Sequence, residues 1–121
     1  MAFLSKYWVL AASGVLALMV GAAGIAKLMG VPMVHVSFAT LGLPVWFGYF
    51  IGAAEVAGAV GLFIRPLAHW AALGLAIIGA GAVYYHVAHT PISQGVPALV
   101  VLVLSVIIFF ARRGNTALQT A

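Results

Sequence analysis

Apolar residues in this chain come in long unbroken runs, and polar residues collect at the breaks between them. Four runs cover roughly residues 7–28, 45–64, 67–88 and 96–111. Each is close to the about 20 residues that cross a ~30 Å hydrocarbon core. The breaks carry turn residues. Gly30-Val31-Pro32 closes the first run, and Pro44 opens the second at a helix start, where its missing N–H does no harm. Arg65-Pro66 turns the chain into the third run, Thr90-Pro91 closes that run, and Gly95-Val96-Pro97 begins the fourth. The pattern predicts a single all-α domain over residues 1–121, an integral membrane four-helix bundle. The connection at about 29–44 is itself apolar. Met33, Val34, Val36, Phe38 and Leu41 form a stripe with His35, Ser37 and Thr40 interspersed. It predicts a short interfacial or re-entrant segment capping one face of the bundle, with an irregular apolar loop as the alternative.

Composition agrees with this pattern. With 66% hydrophobic and 5% charged residues, a chain of 121 residues cannot hide its apolar surface from water, so lipid is its solvent. The net charge of +4 comes from a few scattered basic residues beside apolar runs, which points to membrane topology and away from nucleic acid. Lys6, Arg65, Arg112 and Arg113 fall on one side of a four-span arrangement and only Lys27 toward the other. The positive-inside rule then places both termini in the cytoplasm. Tyr7, Trp8 and Trp70 mark the inner boundary, and Trp46, Phe47, Tyr49, Tyr84 and Tyr85 the outer one. The first run could pass for a signal peptide, but it is long enough to span and its removal would leave an odd number of helices; it is expected to be retained. The absence of cysteine excludes disulfides, thiolate metal sites, iron–sulfur ligation and a thiol relay within the chain.

One residue resists the pattern. Glu55 is the only acidic side chain, and it lies in the middle of an apolar run. An ionisable group at that depth costs roughly 3 kcal/mol, so it should face a partner or a polar cavity. Small residues mark the faces expected to pack: Gly14, Ala17, Gly21 and Gly24 on the first span, Gly52, Gly58 and Ala59 beside Glu55 on the second, and Gly79 and Ala82 below His86 on the third. Side chains on a helix tilt toward its N-terminus, so Lys27 leans into the membrane and Glu55 leans up toward it. This predicts a Lys27–Glu55 ion pair with His86 nearby, in a cavity opening outward. Each member also has a plainer reading: Lys27 snorkelling to the interface, Glu55 protonated and hydrogen-bonded as glue, His86 as a boundary residue. His86 and His89 share a face, but with one carboxylate and no cysteine they do not make a metal or haem site.

At these residues the chain resembles the DoxX/DoxX-like family of small bacterial four-helix membrane proteins. The resemblance rests on Gly24-Ile25-Ala26-Lys27-Leu28, on Phe38 through Trp46, and on Ile51-Gly52-Ala53-Ala54-Glu55-Val56-Ala57-Gly58. Leu62 with Arg65-Pro66, Ala82-Val83-Tyr84-Tyr85-His86 and the closing apolar helix complete it. It implies a bacterial inner-membrane location, carries Lys27, Glu55 and His86 across as polar positions, and carries Gly52 and Gly58 across as packing positions. Relatives are tied to thiosulfate:quinone oxidoreduction, other redox complexes, maturation of secreted enzymes and chaperoning of membrane proteins. Without cysteine or a haem site, this chain is not expected to transfer electrons alone. The leading expectation is a non-catalytic protein whose pocket, lined by Lys27, Glu55, His86, Trp46, Phe47 and Tyr85, binds a lipophilic quinone-like molecule, or which anchors a redox or maturation complex. The alternatives are a membrane enzyme using Glu55 and His86 for acid–base chemistry in quinol oxidation or isomerisation, and a small transporter. A homo-oligomer through the bulky fourth span is compatible with each.

Overall fold

The computed structural model describes the backbone of residues 2–120 and the side chains of residues 7–113, so Lys6 lies outside the described side chains. The chain folds into α1 (Ala2–Leu28), α2 (Pro32–Thr40), α3 (Val45–Gly61), α4 (Ala68–His89) and α5 (Val96–Thr120). Short 3₁₀ turns at Arg65–Leu67 and Ile92–Gly95 precede α4 and α5. Among the described residues there is no strand. Tyr7–Leu28, Arg65–His89 and Ile92–Arg113 are each long and apolar enough to cross a membrane, and α3 reaches that length only together with α2. The protein is an all-α membrane bundle.

The ring of helices follows chain order. The α1–α3 and α4–α5 pairs pack most extensively, and α3–α4 and α1–α5 contacts close the ring. Facing glycines give the direction of each pair. Gly21 meets Ala59 and Gly24 meets Val56; Gly58 meets Leu75 and Gly61 meets Ala71; Gly79 meets Leu102 and Gly95 meets His86. In every pair the numbers rise on one helix as they fall on the other, so neighbours are antiparallel. The shared core is Leu16 and Val20 of α1, Leu62 just beyond α3, Ala72 and Leu75 of α4 and Ile108 of α5. Large side chains such as Leu18, Ile77, Val87 and Phe110 point outward, as lipid allows.

The ends of α1 and α2 fix how the chain turns into its next helix. After α1, Gly30 takes φ +76°, its N–H bonds to Lys27 O, and Val31 N–H reaches back to Ala26 O at 3.2 Å. After α2, Gly42 repeats this with φ +76°, bonding to Ala39 O while Leu43 N–H reaches Phe38 O at 2.9 Å. Both are Schellman caps, which demand a left-handed residue that glycine adopts without strain. Each is followed by a proline, Pro32 starting α2 and Pro44 capping α3. The axes of α2 and α3 are bent by 119° at this break, so the apolar connection is a short helix turned across the end of the α1–α3 pair.

Three expectations are corrected. Gly14 is exposed, with nothing within 4 Å of where a Cβ would stand. The inward face of α1 is instead Val9, Ser13, Leu16, Val20 and Gly24, spaced by three and four residues, and Gly14 lies about 100° round from Ser13. The second span stops at Gly61 and passes into turns, three residues before its apolar run ends. The last helix continues to Thr120, because helical hydrogen bonding does not require the apolar run that ends at Ala111.

Candidate functional site

Where α1 and α3 cross, their backbones almost touch. A Cβ on Gly24 would stand 2.7 Å from Gly52 O, and one on Gly52 would stand 2.9 Å from Gly24 O. Nothing larger than glycine fits at either position without moving a helix. The charged residues lie one turn further along each helix. The Lys27 Cβ passes over Gly52, 2.7 Å from where a Cβ would be, and the Glu55 Cβ passes over Gly24 at 3.1 Å. Each glycine thus makes the room through which the opposite helix sends its charge. The result is an ion pair, Lys27 Nζ to Glu55 Oε1 at 2.9 Å, with the side chains 14% and 7% exposed. It is a charge contact off the line of a good hydrogen bond, because buried Oε1 has no partner of acceptable hydrogen-bond geometry.

The polar side chain that links this pair to α2 is His35. Its Nε2 lies 2.9 Å from Lys27 O. A carbonyl only accepts, so Nε2 carries the proton, and the ring gives the Lys27 carbonyl a second donor beside Gly30 N–H. The rest of the ring lies against Gly48, where a Cβ would collide with Nδ1, and stacks on Tyr49 at 4.6 Å between centroids. The Tyr49 hydroxyl in turn lies against Gly30, 2.9 Å from where a Cβ would stand. Gly48, Gly52 and Glu55 therefore form one inward face of α3, and the glycine nearest the end receives α2.

Beneath α2 is a cavity of about 300 Å³, lined by Gly30, Pro32, His35, Phe38, Ala39, Leu43, Pro44, Val45 and Tyr49. Its lining is mostly apolar, with His35 and Tyr49 as its polar side chains. None of the six residues expected to line a pocket lines this one. Lys27 and Glu55 meet each other one step below it, joined to the cavity wall through His35. Trp46 is 62% exposed and packs with Phe47 and Phe50 on the outside of α3. Phe47 packs edge-on to Phe38.

His86 stands elsewhere, on the side of α4 that faces α5. His86 Nδ1 and Thr90 Oγ1 are hydrogen-bonded at 2.9 Å, and the Thr90 hydroxyl also lies 3.0 Å from His86 O and 3.2 Å from Pro91 O. Gly95 packs on the His86 Cβ, and the ring borders a separate recess of about 100 Å³ with Val83, Val87, Ile92, Val96 and Leu99. Tyr85 lies beside His86 and His89, at 5.4 and 5.2 Å. No hydrogen bond or ion pair joins His86 to Lys27 or Glu55, so the expected trio is a pair. Among the described residues no three His, Cys, Asp or Glu side chains come together as metal ligands.

The profile of the DoxX-like family matches residues 11–108, which takes in both glycine contacts, the ion pair, α2 and the cavity. No curated protein and no solved structure matches the chain. With most of its length matched, the chain belongs to the DoxX-like family.

Proposed function

We propose that this DoxX-like membrane protein holds a lipophilic, quinone-like molecule in the cavity under α2. The observation that carries the reading is the cavity itself: about 300 Å³, mostly apolar, with two polar side chains. That is the lower end of the range for small-molecule sites, and it suits a single ring with a carbonyl better than a bulky ligand. A quinone carbonyl accepts a hydrogen bond from the Tyr49 hydroxyl, and Phe38 supplies an aromatic wall. His35 is held in place by Lys27 O and shapes the rim. Lys27 and Glu55 fix α1 against α3 beneath the site rather than touching the ligand. Acid–base chemistry between Glu55 and His86 is not part of this reading, since the two side chains belong to different helix pairs.

Charge supports an orientation. Arg65 and Arg112 interact electrostatically at the end of the bundle away from the cavity, and Arg113 adjoins Arg112. By the positive-inside rule that end faces the cytoplasm of a bacterial inner membrane, and the cavity opens in the outer half.

The test is the quinone content of the protein purified from a quinone-containing bacterial membrane, read by solvent extraction and absorbance. Wild type carries quinone. Ala39→Phe, which fills the cavity from its wall, loses it at unchanged folded yield, and Tyr49→Phe loses part of it. A folded Ala39→Phe protein with wild-type quinone content sinks the proposal.

A further inference from the structure

The end of the bundle opposite the cavity has a chemistry of its own. Arg65 opens the 3₁₀ turn before α4, and that turn packs against both α4 and α5. Arg112 reaches it from α5 and feels the positive charge of Arg65. His69, on the first turn of α4, stacks on Trp70 at 4.6 Å and lies 6.2 Å from Phe109. Arg113 covers the rings of Phe109 and Phe110 at 5.8 and 5.1 Å. Cations, a histidine and an exposed tryptophan thus share one rim of the bundle.

Two observations show that this rim is incomplete. Arg112 Nε and His69 Nδ1 are buried and have no hydrogen-bond partner among the described residues. Arg112 is half-buried, but its Nε is shut off from solvent without an acceptor, and a like charge stands beside it. Nor does the chain hold a side-chain carboxylate for Arg112: its only acidic residue is engaged by Lys27 at the far end. Among the described residues no side chain answers Arg112, and an anion at the rim is the acceptor that its chemistry fits. A guanidinium presents five donors in a planar fork that matches the oxygens of a phosphate. At a membrane rim flanked by tryptophan, the phosphate in reach is a lipid headgroup, and basic pockets between membrane helices bind anionic ones.

We propose that the rim formed by the Arg65–Leu67 turn, the start of α4 and the end of the apolar part of α5 binds the phosphate of an anionic phospholipid, with Arg112 as principal donor and Arg65 adding charge. Trp70 lies beside the headgroup at the interface. This site is separate from the cavity under α2, and neither depends on the other.

The experiment is lipid titration of the purified full-length chain in a neutral detergent, followed by native mass spectrometry and by the unfolding temperature. Phosphatidylglycerol is expected to bind and raise the unfolding temperature, while phosphatidylcholine does neither. Arg112→Gln should weaken phosphatidylglycerol binding about fivefold, the share of one cationic side chain at an anionic surface. Should that variant not fold, Arg112→Lys keeps the charge but not the fork and is expected to bind more weakly than wild type. Equal binding of the two lipids, or wild-type affinity in the folded variant, overturns the proposal. So does an equal stabilisation by millimolar inorganic phosphate, which would identify a free anion as the ligand.

Discussion

The two main helix pairs solve the same packing problem differently. In the α4–α5 pair, Gly79 lies against the backbone of Leu102 at 3.2 Å from where a Cβ would stand, and buried Ser105 satisfies itself on Val101 O at 2.6 Å. In the α1–α3 pair, two glycines face each other and an ion pair crosses the interface. The connections differ as well. A 3₁₀ turn over Ile92–Gly95 ties α4 to α5, whereas α1 reaches α3 only through the whole of α2 and its two caps. A short turn sets the register of its helices by geometry. A long detour leaves the register open, and a buried pair of opposite charges can then select one alignment from several. The charge is found where the chain constrains least.

Breaking the tighter contact should have the largest effect. Gly52→Val places methyl groups into Lys27 Cβ and Gly24 O, and it is expected to abolish folded protein, measured as the monodisperse fraction after detergent extraction. Gly79→Ala should cost only about 1–3 kcal/mol, because its new Cβ meets neighbours at 3.2 and 3.3 Å. If the two variants lose equal stability, the contrast between the pairs is wrong. Next come the charges. Lys27→Met or Glu55→Gln alone strips the buried ion pair of a partner and should destabilise the protein by about 3–5 kcal/mol. Lys27→Met combined with Glu55→Leu should recover most of that loss in thermal unfolding. A double variant no better than the singles would mean that the pair does more than hold two helices in register.

Smaller effects separate the two histidines. His35→Ala removes one hydrogen bond, worth about 1 kcal/mol, and unlatches α2. Hydrogen exchange should speed up over residues 29–44 and stay unchanged over α4. His86→Ala should give the reverse, confined to the end of α4 and the following turn. The smallest effect is expected of Gly14→Ala. It touches nothing, and it should leave the unfolding temperature unchanged or slightly higher, since alanine favours a helix.

Much of this architecture is legible in the residue pattern. Unbroken apolar runs and Gly-x-Pro breaks mark the helices, because lipid demands continuous apolar length and the caps demand glycine. The meeting of Lys27 and Glu55 follows from side-chain tilt on antiparallel helices. Azimuth near the helix ends is harder to read. Trp46 lies two residues before Gly48, about 200° round α3 from the inward face, so it looks outward. His86 turns to a partner four residues away, Thr90, under a 3₁₀ turn that hydropathy does not reveal. The signal for His35 is present in the glycines. Extending the face of Gly52 and Glu55 back by one turn reaches Gly48, a vacancy near the start of α3 that only an arriving side chain explains.

The shortness of α3 has a consequence for the surrounding lipid. Seventeen residues rise only about 25 Å, several Å less than a typical hydrocarbon core. α1, α4 and α5 carry longer apolar stretches, so the mismatch is confined to one side of the bundle. Acyl chains beside α3 are expected to compress or tilt more than those beside α5, a local mismatch on one side of the bundle. Membranes built from shorter acyl chains should therefore accept it with less distortion, and α3 is the side from which a lipid tail is most easily displaced.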